Sequence, residues 1–109
     1  MKPLLWIGSS LKDVRAFPQE ARQEVGHELY QVQEGLEPSD WKTLPNLGEG
    51  VCEIRIHAGN EYRVIYVAKL VEAVYVLHAF VKKTRRMPER EGAVVKKRFQ
   101  ELMKTRRTP

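Results

Sequence analysis

Two arginines, two histidines, a glutamate and a lysine occupy sequence positions from which they could act together on a phosphate group. They lie in or directly after three successive segments that are predicted to be β-strands: Glu53, Arg55, His57, Arg63, His78 and Lys82. In the first two segments they alternate with apolar residues and so face away from them, because successive side chains of a strand point to opposite faces. If the three strands form one antiparallel sheet, all six side chains gather on a single face.

Such a face could promote RNA cleavage by attack of a ribose 2′-hydroxyl on the adjacent phosphate. This reaction needs no metal when cations stabilise the additional negative charge of the transition state. Arg55 and Arg63 could clamp the phosphate through forked hydrogen bonds, and Lys82 could add a point charge. Either histidine or the glutamate could transfer the protons. The same residues could also be the ordinary polar surface of a sheet, and spacing alone favours that plainer interpretation.

The other reactive side chains indicate packing rather than chemistry. His78 lies in a continuous apolar run, where a histidine is more often a hydrogen-bonded core residue than a catalyst. Cys52 is the single cysteine, falls on the apolar face of its strand and is predicted to be inert. His27, His57 and His78 belong to different elements and lack the spacing of metal ligands. We therefore expect no metal site and no cofactor.

Positive charge is concentrated at the C-terminal end of the chain. Residues 1–81 contain 8 lysines and arginines against 11 acidic residues, whereas residues 82–109 contain 11 against 3. This asymmetry favours a polyanionic partner, which could be a nucleic acid, an anionic membrane or an acidic protein. It is equally compatible with the solvated side of a terminal helix. For contact with RNA we single out five basic residues beyond the strands: Lys83, Arg85, Arg86, Arg90 and Lys97.

The composition indicates a single domain over residues 1–109. Hydrophobic residues make up 42% of the 109 residues, which suffices for one packed core. One cysteine excludes an internal disulfide and suits a reducing compartment. The apolar run at 4–7 is too short for a signal peptide, and no segment approaches the roughly 18 to 20 apolar residues that cross a bilayer. We therefore expect a cytoplasmic protein without a membrane partner.

The first third of the chain is predicted to form a strand and two helices. A short strand at 3–7 is followed by a brief helix after Ser10, and a longer helix spans 18–34. Gly35 supplies a left-handed cap at its end. Four apolar residues of the longer helix recur every three or four positions and should be buried: Ala21, Val25, Leu29 and Val32.

The remainder is predicted to form an ordered loop, three strands and a basic helix. The loop occupies 37–50, the first two strands form a hairpin, and the third is apolar on both faces as in a central strand. The strands span 51–57, 61–68 and 73–81. The last helix runs from 87 or 88 to about 103, with 105–109 frayed. The two preceding helices should cover the sheet face that carries Ile54, Ile56, Val64, Tyr66, Leu77 and Ala79.

Four segments carry a resemblance to a known family: LWIGSSLKD at 5–13, GVCEIR at 50–55, YRVIY at 62–66 and VLHAFVKKT at 76–84. Their order and spacing are similar to those of the phage-derived Gp49-like branch of the HigB/RelE toxin superfamily. The resemblance implies an α+β fold of the RelE/ParE type. In this fold a short N-terminal strand and two helices pack on an antiparallel sheet, and a basic C-terminal helix follows.

The same resemblance implies a function. Relatives of this kind are toxins of type II toxin–antitoxin pairs that cleave mRNA on the ribosome and are inhibited by a cognate protein antitoxin, often with a helix-turn-helix domain. Basic residues at positions like Arg55, Arg63 and Lys82 serve RNA binding or cleavage in such relatives, and Glu53 stands where some relatives carry a further basic residue. We expect Arg63 and Lys82 to be exposed.

Two other functions remain open. The first is a gyrase poison of similar fold, against which the three cations of the predicted face argue. The second is a non-catalytic RNA-binding protein or phage accessory protein that uses the basic helix alone. Growth arrest with cut mRNA, DNA damage and harmless expression would distinguish the three possibilities.

Overall fold

The computed structural model describes residues 1–107, which form an α+β fold as predicted. The elements in chain order are β1 (Leu4–Trp6), α1 (Ser10–Arg15), α2 (Gln19–Gln33), β2 (Trp41–Thr43), β3 (Val51–Ala58), β4 (Asn60–Val67), β5 (Val74–Val81) and α3 (Glu89–Arg107). Helix α3 continues further than expected, because residues 105–107, predicted to be frayed, are helical. Thr108 and Pro109, included in that prediction, lie outside the described residues.

The strands form a five-stranded sheet in the order β1-β5-β4-β3-β2. Strand β4 is antiparallel to its neighbours β3 and β5, as predicted, and β2 is antiparallel to β3, whereas β1 runs parallel to β5 at the edge of the sheet. Strand β2 lies within the segment 37–50 that was predicted to be a loop, since three residues are too few for alternation to indicate a strand.

Helices α1 and α2 cover one face of the sheet. The predicted apolar stripe of α2 is buried at all four positions: Ala21, Val25, Leu29 and Val32. It packs against the side chains of β3 and β4 that alternation assigned to this core: Ile54, Ile56, Val64 and Tyr66. Gly35 follows α2 with a φ of 84°, the left-handed conformation that glycine adopts without a steric penalty.

Helix α3 packs on the opposite face. Val95 and Leu102 are buried, and they contribute to a second core with side chains of β3, β4 and β5. Strand β5 lies between β1 and β4 and is buried along its whole length except Val81, which agrees with a strand covered on both faces. Neither α3 nor any other helix of residues 1–107 has the length and apolar character required to span a membrane.

Strands β3 and β4 form the predicted hairpin, and its register brings charged residues face to face. Gly59 alone separates the strands and has a φ of 82°, which a residue with a Cβ would adopt only under strain. The pairs that follow from this turn include His57 with Glu61 and Arg55 with Arg63. These pairs lie on the α3 side of the sheet, at its hairpin end.

Strand β5 contains a bulge at Leu77. Two consecutive residues of β4, Ile65 and Tyr66, pair with His78 and Val76, so that Leu77 has no partner on β4. An extra residue of this kind changes the alternation of all side chains that follow it.

The bulge explains why one predicted side-chain position is wrong and why those that follow it are confirmed. Leu77 was assigned to the core under α1 and α2 but packs in the core under α3. That assignment is wrong because strict alternation cannot indicate a bulge. Beyond the bulge, Ala79 lies in the α1–α2 core as predicted, whereas His78 shares the α3 side with Ile65 and the alternation continues to Lys82.

Replacement of Leu29 by alanine is expected to lower the free energy of unfolding by about 2–5 kcal/mol, because it removes buried apolar surface and leaves a cavity. Leu29 is 2% exposed beneath the sheet. The matched control is Tyr30→Ala, since Tyr30 is the next residue of α2 and is 51% exposed; it should change the free energy by less than about 0.5 kcal/mol. Urea denaturation followed by circular dichroism measures both. Equal losses in the two variants would contradict the buried face assigned to α2.

Candidate functional site

Eight charged side chains meet at the hairpin end of the sheet, on its α3 side. We call them the charged cluster: Asp40, Lys42, Glu53, Arg55, His57, Glu61, Arg63 and Lys82. The strand registers place six of them in facing pairs: Lys42 with Glu53, Arg55 with Arg63, and His57 with Glu61. Lys82 follows β5, and its amide donates a hydrogen bond of 2.7 Å to the carbonyl oxygen of Glu61.

The carboxylate of Glu53 lies at the centre of the charged cluster and is 1% exposed. Its Oε2 accepts a hydrogen bond from Nε of Arg55 at 3.3 Å, and its Oε1 lies 3.9 Å from Nε of Arg63. Like charges directly opposite on antiparallel strands destabilise a sheet, and a buried carboxylate is stable only beside cations. Glu53 therefore neutralises the facing arginines, and they compensate for its lost hydration.

Arg63 is far less accessible than predicted. Its side chain is 8% exposed, and its Nη1 donates to Oε1 of Glu61 at 3.1 Å and to the carbonyl oxygen of Tyr62 at 3.0 Å. Its Nε is buried and has no hydrogen-bond partner within residues 1–107. The expectation of an exposed Arg63 is wrong, because alternation predicts the face of a strand and not what neighbouring side chains cover.

Arg55 holds the accessible guanidinium of the pair, with 32% of its side chain exposed. Its Nε donates to Glu53, whereas its Nη1 lies 3.8 Å from Oδ1 of Asp40, which is too long for a hydrogen bond. The guanidinium is therefore anchored on one edge and retains donors on its outer edge. A planar group held in this way is suited to bind two oxygens of a phosphate.

His57 lies at the exposed rim, between two carboxylates. Its Nε2 is 2.7 Å from Oδ2 of Asp40, and its Nδ1 is 2.7 Å from Oε2 of Glu61. The hydrogen bond to Asp40, followed by that to Glu61, raises the pKa of His57 above its ordinary value of 6.5. In turn, the hydrogen bond to His57, together with that from Arg63, lowers the pKa of Glu61.

Lys82 is half-buried, so the expectation that it is exposed is wrong. Partial burial lowers the pKa of its ammonium group, the negative charge of Glu53 opposes this effect, and the positive charges of Arg63 and Arg55 add to it. The ammonium is therefore within electrostatic reach of both guanidinium groups. The structure thus brings together the three cations that the sequence predicted for one face, and their role toward RNA stays a prediction.

His78 lies on the same side of the sheet but belongs to the contact with α3. Its Nε2 is 2.9 Å from Oε1 of Glu91, and its Nδ1 is 3.3 Å from Nη1 of Arg98. Because a guanidinium only donates, Nδ1 accepts from Arg98 and Nε2 donates to Glu91. The ring also stacks on Phe80, with 5.4 Å between centroids. His78 is therefore a hydrogen-bonded, buried histidine, the more frequent case for an apolar strand.

The five basic residues predicted to contact RNA are all exposed. Three lie in the connection between β5 and α3 and two lie on α3: Lys83, Arg85, Arg86, Arg90 and Lys97. They continue the positive charge from Lys82 toward the helix. Their exposure makes them available to a polyanion, and contact with RNA remains a prediction.

Three members of the charged cluster were not singled out from the sequence. Glu61 could have been found, since it lies two residues before Arg63 and therefore on the same face of β4. Asp40 and Lys42 belong to the segment predicted to be a loop, and no sequence signal indicates that Lys42 pairs with Glu53.

Cys52 packs toward the α1–α2 core, away from the charged cluster, as predicted. Its thiol donates to the carbonyl oxygen of Gly50 at 3.6 Å, and burial raises its pKa, which disfavours the reactive thiolate. Within residues 1–107, no three histidine, cysteine, aspartate or glutamate side chains form a group that could hold a metal ion.

A comparison with known protein families gives one match. The family model described as phage derived protein Gp49-like (DUF891) matches residues 12–100. This range covers most of the chain and contains the whole charged cluster. It also contains β5, whose bulge places Lys82 on the same side of the sheet as the rest of the cluster. No curated protein matches the chain.

Glu53→Gln is expected to lower the free energy of unfolding by about 3–5 kcal/mol, because it leaves Arg55 and Arg63 opposed without the buried negative charge. Glutamine keeps the size of the side chain, so that the effect reports on charge. The matched control is Glu49→Gln, since Glu49 is 90% exposed and pairs with Lys69 at 3.3 Å; its removal should cost at most about 1 kcal/mol. Urea denaturation measures both variants. Similar small losses in the two would show that the central carboxylate is not required.

Proposed function

Since this chain belongs to the family of Gp49-like phage-derived proteins, which are RelE/HigB-like toxins, we propose that it is the toxin of a type II toxin–antitoxin system and cleaves mRNA on the ribosome. The observation that carries this proposal is the grouping of Arg55, Arg63 and Lys82 around the carboxylate of Glu53. Cations fixed in advance around one point are suited to stabilise the charge that develops on a reacting phosphate.

Cleavage proceeds by attack of a ribose 2′-hydroxyl oxygen on the neighbouring phosphorus, with departure of the 5′-oxygen of the next nucleotide. The transition state carries more negative charge than the substrate. Arg55 binds phosphate oxygens through the outer edge of its guanidinium, which Glu53 holds in place. Lys82 adds a second cation, and Arg63 contributes positive charge from beneath. No step of this scheme requires a metal ion.

Three side chains are proposed for proton transfer: His57, His78 and Glu53. In the free protein each of them already has a charged partner: Asp40 and Glu61 for His57, Glu91 and Arg98 for His78, and the two arginines for Glu53. Proton transfer through any of them therefore requires that the bound substrate displace a partner or that the ribosome supply the group.

The proposed partners are mRNA on the ribosome and a cognate protein antitoxin. The exposed basic residues between β5 and α3 supply the long-range attraction for rRNA and mRNA, since such contacts are largely sequence-independent. The antitoxin, proposed to carry a helix-turn-helix domain, would place a helix or an extended segment over this basic end. The protein would then act in the cytoplasm, where translation takes place.

A second candidate function is a non-catalytic RNA-binding protein. One observation favours it: all three proposed proton-transfer groups are occupied by internal contacts, whereas the basic residues from Lys83 to Lys97 are exposed. Such a protein would bind RNA without cleaving it, and its expression without an antitoxin would be harmless.

Lys82→Ala and Arg55→Ala are each expected to reduce the rate of ribosome-dependent mRNA cleavage by about 100-fold or more, because each removes a cation that faces the transition state. The rate is measured in a reconstituted translation system, with cut sites mapped by primer extension. The matched control is Lys12→Ala, since Lys12 is an exposed lysine of α1, which covers the opposite face of the sheet; it should retain most of the activity. Arg63→Ala is unsuitable, because loss of this buried side chain would also destabilise the fold.

Wild-type cleavage by a correctly folded Arg55→Ala, Lys82→Ala double variant would remove the proposed site. RNA binding by the wild-type protein without cleavage would favour the second candidate function. DNA damage on expression would indicate gyrase as the target instead.

A further inference from the structure

Six side chains of the charged cluster form a closed ring of alternating charge. We call it the charge ring, and its members in order of contact are Arg55, Asp40, His57, Glu61, Arg63 and Glu53. The two shortest contacts, both 2.7 Å, are the two that His57 makes. His57 therefore joins the two rim carboxylates, and each of these carboxylates in turn contacts one of the two arginines.

The contacts of His57 define its protonation state. A carboxylate oxygen only accepts hydrogen bonds, and a neutral imidazole carries one bare nitrogen whose lone pair would repel such an oxygen. Because both ring nitrogens lie at hydrogen-bond distance from a carboxylate oxygen, both carry a proton when the two carboxylates are ionised. As an imidazolium donating on both sides, His57 has no lone pair with which to accept the proton of a 2′-hydroxyl.

We propose that His57 is a positioning residue: as an imidazolium it closes the charge ring and thereby holds Arg55 and Arg63 in the geometry that binds a phosphodiester of RNA. This inference rests on the proposed function, because it takes the two arginines as the phosphate site. It replaces the proton-transfer role proposed above for His57 and leaves His78 and Glu53 for that step. His57 acts through Asp40 and Glu61 and does not touch the substrate.

The charge balance of the ring supports this role. With His57 protonated, three cations alternate with three anions; without the proton, the ring carries a net charge of −1. The rim carboxylates would then interact with the arginines alone and compete with a phosphate for the same donors. The groups that face His57 are Asp40, from the loop before β2, and Glu61, from β4; the charge of Lys82, after β5, acts on Glu53 and the arginines.

The sign of the pH dependence follows from these contacts. The pKa of His57 is raised above 6.5, so its charge persists to a higher pH than that of an ordinary histidine and is lost as the pH rises through the elevated value. The affinity for RNA should therefore be highest below that value and should fall above it. The stability that the two hydrogen bonds contribute should follow the same course, being present at pH 6.5 and lost at higher pH.

The first experiment tests the ring without RNA. In the full-length protein, the ring carbons and nitrogens of His57 are titrated by NMR, and the Nε–H signals of Arg55 and Arg63 are followed in the same series. We expect a midpoint above 6.5, with arginine Nε–H signals that are slow to exchange below the midpoint and broaden above it. His57→Gln should lose these signals at every pH, whereas His27→Gln, which changes an exposed histidine of α2, should keep them. A midpoint at or below 6.5, or unchanged arginine signals in His57→Gln, would overturn the proposal.

The second experiment measures affinity for a short fluorescein-labelled single-stranded RNA by anisotropy between roughly pH 6 and pH 9. The wild-type affinity should fall about tenfold as the pH rises through the midpoint of His57. This is the change expected if RNA binding shifts the pKa of His57 by about one unit. His57→Gln should bind weakly throughout. His57→Lys, which keeps a positive charge, should bind without this pH dependence and more tightly than His57→Gln. Binding that requires Lys82 but is flat with pH in the wild type would overturn the proposal.

The two experiments separate this inference from the function on which it rests. If Lys82→Ala binds RNA as tightly as the wild type, the proposed phosphate site fails, and the arginine signals alone decide whether His57 orders the ring. If Lys82→Ala loses binding while His57→Gln retains the wild-type affinity, the site stands and the positioning role of His57 fails.

Discussion

Burial of the Glu53 carboxylate between two guanidinium groups is the interaction on which the hairpin end of the sheet depends. The register of β3 and β4 places Arg55 directly opposite Arg63, an arrangement that repulsion would oppose if nothing lay between them. Glu53 is 1% exposed, so it interacts with both cations with little screening by solvent. The three groups are mutually required: the carboxylate is stable only beside the arginines, and the arginines face each other only around the carboxylate.

The faces of the elements were predictable from the sequence, because each face follows from local periodicity. The stripe of α2, from Ala21 to Val32, and the inward side chains of β3 and β4 are buried as alternation and helical spacing predict. How far neighbouring side chains cover each residue was not predictable. Arg63 is on the predicted face yet covered, since its exposure depends on Glu61 and on other strands. The parallel pairing of β1 with β5 and the short β2 depend on contacts between distant segments, which leave no periodic signal.

The candidate site was predictable in part for the same reason. Arg55 and Arg63 lie on strands with clear alternation, whereas the rim carboxylate Asp40 lies in an irregular segment. The second rim carboxylate, Glu61, needed only the alternation that found Arg63. The family resemblance directed attention to basic residues alone. The structure adds the carboxylates of Asp40 and Glu61 and, with them, the distinction between Arg55, which has donors on an open edge, and Arg63, which lies beneath. On a purely cationic face a polyanion has no competitor, whereas on this face it must compete with the carboxylates that already contact the arginines.

The bulge at Leu77 has a consequence for comparing this chain with its relatives. One additional residue in β5 exchanges the two sides of the strand for everything downstream, and it is the reason that Lys82 shares a side with the arginines. A relative that lacks this residue could conserve every letter of the segment after it and still present its lysine to the opposite layer of the protein. Equivalence between such chains therefore has to be judged by strand pairing rather than by aligned letters.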